Sequence, residues 1–364
     1  MPVVDSLEVS VYEVATDNPE ADGTLTWSST CVVVVEAVAE GVRGLGFTYA
    51  TPACARLIKD LLVEVVCGRD AFDVEGAWSS MVRAIRNMGR PGVASMSIAA
   101  VDCALWDLKA KLLEVSLATL LGQVRDEVPV YGSGGFTSLT DRQLDEQLSG
   151  WIDQGMTRVK IKVAESWGTR ADRDLERVRQ ARSRIGEECE LFVDANGGYR
   201  AKQAVRMGLE FADLGVTWFE EPVSSDHLDV LAGIRSDVPM DVAAGEYGYD
   251  LFYFEAMCRS QAVDCLQADV SRCAGISEWI RVAALAEAHG LDVSGHCAQS
   301  LHAHPGSAVK NLRHLEYFAD HERVDRLLFS GVLEPRAGSL RPDPSRPGNG
   351  LELKRSDAER YRIE

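Results

Sequence analysis

The segments Glu190-Leu-Phe-Val-Asp194-Ala-Asn196-Gly-Gly, Val216-Thr-Trp-Phe-Glu220-Glu221-Pro222 and Asp241-Val-Ala-Ala-Gly-Glu246 decide the fold. Each is a short apolar run that ends in an acid and a turn. Asp194, Glu220 and Glu246 stand 26 residues apart, about the length of one strand, one helix and two connections. Equal spacing implies equal position in a repeating unit. If that unit is strand then helix and the sheet closes, the three carboxylates share the C-terminal rim of neighbouring parallel strands, where barrels keep their chemistry. Gathered there they repel one another, so a cation between them is expected. An all-oxygen donor set without Cys or His points to a hard ion, Mg2+, with positions open for water and substrate. The plain alternative is three solvated acids at strand ends.

The same rhythm extends in both directions. Strands are predicted at 128–133, 157–163, 191–196, 216–221, 242–246, 264–270, 291–297 and, weakly, 314–318, with helices at 139–153, 171–185, 200–214 and 276–289. Eight strands separated by helices predict an α/β fold with a closed, TIM-like barrel. No G-x-G-x-x-G follows the first strand, which argues against a dinucleotide site.

Ahead of the barrel, residues 7–15 alternate polar and apolar, and two further strands run through Val32–Val35 and to Phe47, predicting a three-stranded antiparallel sheet. The polar stretch 16–30, with Asp17, Asn18, Glu20 and Asp22, is expected to be a long loop, either disordered or a lid. From 52 to 121 the pattern is helical, clearest where Ile98, Val101, Leu105, Leu108 and Leu112 form one stripe with Ser97 as cap. Trp106 is expected in the core and Asp107 as a surface charge. The segment 333–364 carries four prolines, is predicted to hold no regular element, and should wrap back onto the N-terminal part. The chain thus divides into an α+β capping domain at 1–127, a barrel at 128–332 and a returning segment at 333–364.

Charge and cysteines narrow the function. With 38 Lys and Arg against 56 Asp and Glu, the 364-residue chain has a net charge of -18. Nucleic acid or an anionic membrane needs a basic footprint, so neither is expected as a partner. Nine cysteines lie scattered without C-x-x-C pairs or zinc-ligand spacing. They read as small buried residues in a reducing compartment, and with neither a signal-like N-terminus nor an apolar run of about 18 residues the expected location is cytoplasmic.

Further rim residues complete the chemistry. In Thr157-Arg-Val-Lys160-Ile-Lys162-Val, alternation puts Lys160 and Lys162 on one face. Outward, they would be desolvated under helices; inward, they meet the acids. Two adjacent ammonium groups lower each other's pKa, which is expected to make one lysine a usable base. Asp269 and His296 end two successive strands and can pair, the carboxylate fixing the imidazole tautomer. Glu316 ends the weak eighth strand and is expected to be protonated, donating a hydrogen bond to substrate. His302 and His304 read as structural or supporting residues. A substrate carboxylate bound among these groups would have its α-proton exposed to Lys162 on one face and His296 on the other.

The chain resembles the enolase superfamily, and within it the mandelate racemase subgroup. The likeness rests on Lys160-x-Lys162, Val193-Asp194-Ala-Asn196, Phe219-Glu220-Glu221-Pro222, Gly245-Glu246, the Asp269 and His296 dyad, and Glu316. The resemblance implies a (β/α)7β barrel with an α+β cap built from both termini, and Mg2+ held by Asp194, Glu220 and Glu246. Lys162 and His296 would be the two bases, with Asp269 orienting His296. Lys160 and Glu316 would hold the substrate carboxylate and developing enolate. Asn196 and Glu221 would support the ligands, while Asp17, Asn18, Phe47 and Tyr49 would lie on lid segments at 16–30 and 46–51. Assembly into a homo-oligomer, from dimer to octamer, is implied too.

The activity expected is dehydration of an acid sugar to a 2-keto-3-deoxy acid, the polar stretch at 16–30 suiting a polyhydroxy acid. Racemisation or epimerisation of a 2-hydroxy acid is the alternative. A non-catalytic, metal-stabilised barrel is more remote, since a scaffold has no use for clustered charges.

Overall fold

The computed structural model describes Met1–Glu364 throughout. Three N-terminal strands, β1 (Ser6–Ala21), β2 (Thr26–Ala39) and β3 (Val42–Tyr49), form the expected antiparallel sheet in the order β1-β2-β3. Eight parallel strands follow: β4 (Val128–Gly134), β5 (Arg158–Lys162), β6 (Glu190–Asp194), β7 (Val216–Glu220), β8 (Asp241–Ala244), β9 (Cys265–Ala268), β10 (Asp292–Gly295) and β11 (Leu312–Phe318). They pair in sequence, and β11 pairs with β4 to close the barrel. Seven connections carry a helix, and one more helix, Ala319–Leu328, follows β11.

Pairing register sets the rim. Lys162 stands opposite Asp194 across β5 and β6, and Asp194 opposite Glu220 across β6 and β7. The barrel floor below is filled by Tyr131, Phe192, Trp218 and His314, with ring centroids 4.8–5.5 Å apart. This aromatic plug closes the interior from below and leaves the polar groups at the open end.

Several expectations require correction. The stretch 16–30 is a β-hairpin rather than a loop, because β1 continues to Ala21 and turns through Asp22, whose carboxylate accepts from the backbone of Thr24 and Leu25. The segment 46–51 is no lid loop either. It belongs mostly to β3, which lies flush on the helix Val93–Leu112: a Cβ on Gly44 or Gly46 would sit 2.2 Å from the carbonyl oxygen of Ala104 or Ala100. Phe47 there is fully buried and stacks on Phe329 at 4.8 Å, so it is core. Ser97 lies inside its helix, which begins at Val93, and its hydroxyl donates to the Val93 carbonyl.

Asp107 is not a surface charge but a fully buried clamp. Its carboxylate accepts from Leu45 N at 2.7 Å and Asn349 N at 2.6 Å and pairs with Lys111 at 2.6 Å, tying β3, the long helix and the C-terminal segment together. Asp107→Ala leaves two buried N–H groups without acceptors and is expected to cost about 3–5 kcal/mol, read as a lower urea midpoint.

The C-terminal segment does return to the N-terminal sheet, where Ile363 N donates to Val11 O at 2.9 Å and Arg355 pairs with Glu36 at 2.7 Å. It is not wholly irregular: Ser339–Leu340 pairs with the start of β4, and Glu352–Leu353 with Phe329–Ser330.

His304 pins the same region, accepting from Ala118 N through Nδ1 and donating to Asn349 O through Nε2. Burial pushes its pKa down to about 4. An unfolded histidine titrates near 6.5, so the folded state binds fewer protons between those values. Stability is therefore complete above pH 6.5 and falls below it, by roughly 2 kcal/mol at pH 5. His304→Gln should flatten the melting-temperature profile between pH 7 and 5.

Candidate active site

Each polar rim residue sits at or just past the end of its strand, and the backbone there is bent to aim it. Asn196, Glu221 and Cys297, which follow Asp194, Glu220 and His296, have φ of +44°, +38° and +44°. Left-handed conformations in non-glycine residues cost about 1–3 kcal/mol each and persist where the surroundings enforce them. Gly245, at φ +134°, needs its missing side chain, since a Cβ would lie 2.0 Å from Gln267 O. That close approach turns the chain so that Glu246 faces inward.

The rim reads in strand order from β5 to β11. Lys160 and Lys162 come from β5, Asp194 from β6, Glu220 from β7, Glu246 from the end of β8, Asp269 and His296 from the ends of β9 and β10, and Glu316 from β11. All eight are buried. The acids therefore occupy one arc, flanked by the lysines on one side and the Asp269–His296 pair on the other. Ligand atoms of Asp194, Glu220 and Glu246 all lie within 4.8 Å of one another, close to the ~4.2 Å width of a Mg2+ coordination shell.

Lys160 pairs with Glu316 at 2.8 Å, with Asp194 at 3.5 Å and with Glu220. Lys162 pairs with Asp194. Trp218 Nε1 donates to Glu220 at 3.0 Å, and Asn196 N to Asp194 at 2.8 Å. Burial favours the neutral form of Glu220, and together with the neighbouring Asp194 charge pushes its pKa up to about 8. Three carboxylates, Asp194, Glu220 and Glu246, are thus gathered within reach of one another. Glu246 Oε2 is buried with no hydrogen-bond donor. This donor set suits one hard divalent cation.

The second arc is equally built. His296 Nδ1 lies 2.9 Å from Asp269, whose other oxygen accepts from Ser271 N and Oγ at 2.7 Å each. The outward Nε2 faces Glu246 at 3.3 Å and Glu316 at 3.7 Å. Burial disfavours the imidazolium, yet Glu246, Glu316 and Asp269 outweigh it, and the His296 pKa is raised. His302 braces the loops below, donating to Cys297 O and accepting from Val270 N.

Two electrostatic expectations are overturned. Burial also opposes a charge on Glu316, but Lys160 and His296 prevail and hold its carboxyl well below the usual range, so it is ionised. Instead of donating, it accepts from Cys297 N at 3.0 Å. Lys160 does lower the pKa of Lys162, as does burial, but Asp194 overrides both, and Lys162 is raised. Lys162 stays an ammonium while Asp194 keeps its full charge.

The supporting residues separate. Asn196 and Glu221 lie against the acid arc, and burial together with Glu246 raises the Glu221 pKa well above normal, keeping it neutral. Tyr49 donates to Asp325 at 2.6 Å and stacks on His321, behind the loop that follows His296. Asp17 and Asn18 are exposed on the hairpin. The hairpin itself reaches the mouth: Trp27 packs edge-on against Phe136 at 5.5 Å, and Trp167 N and Thr137 N donate to Gly23 O and Ala21 O.

Sequence reasoning missed Arg272, whose guanidinium donates to Glu246 at 3.1 Å and lies 3.5 Å from Asp269, bridging the two arcs. Its only signal was a cation three residues beyond a rim acid.

Residues 6–122 match the mandelate racemase / muconate lactonizing enzyme N-terminal domain, and residues 143–358 the enolase C-terminal domain-like family. The chain belongs to the enolase superfamily, in its mandelate racemase / muconate lactonizing enzyme group. A mandelate racemase/muconate lactonizing enzyme-like protein from Rubrobacter xylanophilus superposes with a TM-score of 0.96 at 50% identity, covering 100% of both chains. A racemase from Streptomyces coelicolor with bound magnesium gives 0.93 at 27%, covering 99% of this chain and 100% of that one. The L-talarate/galactarate dehydratase of Salmonella typhimurium is 30% identical over 308 residues, 83% of this chain and 75% of its own.

Proposed function

We propose that this enzyme removes the proton α to a carboxylate and dehydrates an acid sugar to a 2-keto-3-deoxy acid, with Mg2+ as cofactor. Asp194, Glu220 and Glu246 would hold the ion, which when bound supplies positive charge to the developing enolate. Lys160 adds a second positive charge beside the substrate carboxylate, and Glu316, ionised, keeps Lys160 charged and placed. Lys162 or His296 takes the α-proton, according to the face the substrate presents. The β-hydroxyl departs with a proton from the opposite side as water, and the enol tautomerises to the keto acid.

The observation that carries dehydration is the placement of His296. Held by Asp269 at 2.9 Å on the rim across from Lys162, its imidazole can pass a proton to a departing hydroxide when Lys162 is the base. Likeness to a sugar-acid dehydratase supports the same reading. The hairpin at 16–30, reaching the mouth through Trp27, would contact the distal hydroxyls and select among sugars. The nine free thiols support a cytoplasmic location, and assembly into a homo-oligomer is part of the same proposal.

Incubating the Mg2+-loaded enzyme with a panel of sugar acids should yield 2-keto acid from at least one. Deuterium uptake at the α-carbon without keto acid from any member would replace dehydration by racemisation, the reading favoured by the similar racemase.

A further inference from the structure

Beside the acid arc lies a second cluster of ligand atoms that shares no residue with it. His296 Nε2 is 3.3 Å from Cys297 Sγ, Cys297 Sγ is 3.4 Å from Glu316 Oε2, and Nε2 is 3.7 Å from that oxygen. All three side chains are buried, and their ligand atoms lie within 4.8 Å of one another. Tetrahedral Zn2+, with bonds of ~2.0–2.3 Å to nitrogen, sulfur and oxygen, spaces its ligands by roughly 3.3–3.6 Å. The observed triangle therefore already has the dimensions of one face of a zinc tetrahedron.

The surroundings match as well. Zinc-bound histidines place the other ring nitrogen on a carboxylate, and His296 Nδ1 is held by Asp269 at 2.9 Å. Glu316 divides its oxygens, Oε1 accepting from Ser133 and pairing with Lys160 while Oε2 faces the cluster. The donor sets differ in softness. Nitrogen and sulfur favour Zn2+ over Mg2+, whereas the all-carboxylate arc favours the hard ion.

We propose that His296, Cys297 and Glu316 form an inhibitory site for borderline-soft divalent ions such as Zn2+, distinct from the hard-ion site. Three protein ligands leave a fourth position for water or a substrate oxygen. Binding exchanges two protons for the metal, the Cys297 thiol proton and the Nε2 proton of the His296 imidazolium, both passing to solvent. The ion occupies Nε2 of His296 and so removes one base. That loss of activity rests on the reading of His296 given above; the binding does not.

Co2+, which reports thiolate ligation by a charge-transfer absorption, is the direct probe. Titrated into the Mg2+-saturated protein, it should give this band with saturation at one equivalent. The band should vanish in Cys297→Ser and Cys297→Ala and persist in Glu220→Gln, where the hard site is weakened. In turnover assays Zn2+ should inhibit, added Mg2+ should not relieve it, and Cys297→Ser should need roughly 100-fold more Zn2+, measured against its own Mg2+-supported rate. No band in the parent protein, or a band that survives both cysteine variants, overturns the proposal. So does inhibition that Mg2+ relieves equally in parent and variant, which puts Zn2+ in the carboxylate site. A protein that binds Co2+ through Cys297 but turns over no acid would sink the functional reading and leave this one standing.

Discussion

Lys162→Ala and His296→Asn should each lower kcat by about 10³-fold or more, while the melting temperature in Mg2+ moves by only a few degrees. General acid–base groups contribute about 10²–10⁴-fold, and in the proposed dehydration cycle each residue would serve either as base or as proton donor. Losing either stops the cycle, so the effects should not multiply in the double variant. Stability is spared because Asn keeps a donor toward Asp269, and Asp194 retains Lys160 as a partner. A variant that still exchanges the α-proton with solvent identifies the other residue as the abstracting base. Undiminished turnover in both variants would remove Lys162 and His296 from the proton-transfer mechanism.

The second large effect concerns Glu220 and carries opposite signs for activity and stability. Its raised pKa, about 8, means that the folded state holds a proton that the unfolded chain releases near 4.5. Metal-free protein therefore loses stability as pH rises from 4.5 to 8. Glu220→Gln removes the cost and should stabilise the metal-free fold by up to roughly 4 kcal/mol at pH 8. The same variant should lose turnover and the rise in melting temperature that Mg2+ gives the parent, since one of the proposed ligands is gone. Calorimetry at pH 8 with and without Mg2+ reads both halves. A destabilised metal-free variant that still responds fully to Mg2+ would place the ion elsewhere.

Much of the site was legible because its residues sit at strand ends, where repeat spacing is preserved. Asp194, Glu220 and Glu246 follow the 26-residue unit, and alternation placed Lys160 and Lys162 on one face. What escaped lies in loops or in charge balance. Arg272 belongs to the turn after β9, whose path no periodicity encodes. The ionised state of Glu316 depends on Lys160, 156 positions away in the chain, and so on barrel closure. The hairpin at 16–30 was misread because its polar residues look like a loop, whereas backbone pairing across β1 and β2 tolerates polar side chains on an exposed face. Asp107 looked like one more helix charge, and only the docking of β3 and the C-terminal segment made it a clamp.

By itself the sequence determined the repeating strand–helix unit, the barrel and the identity of eight rim residues, since hydrophobic period and spacing are local properties of the chain. Tertiary structure alone decided the protonation of Lys162, Glu220 and Glu316, the bridge made by Arg272, and the triangle of His296, Cys297 and Glu316. Those depend on distances of a few ångströms between strands far apart in the chain, where Coulomb energy and ligand geometry are set only once the sheet has closed.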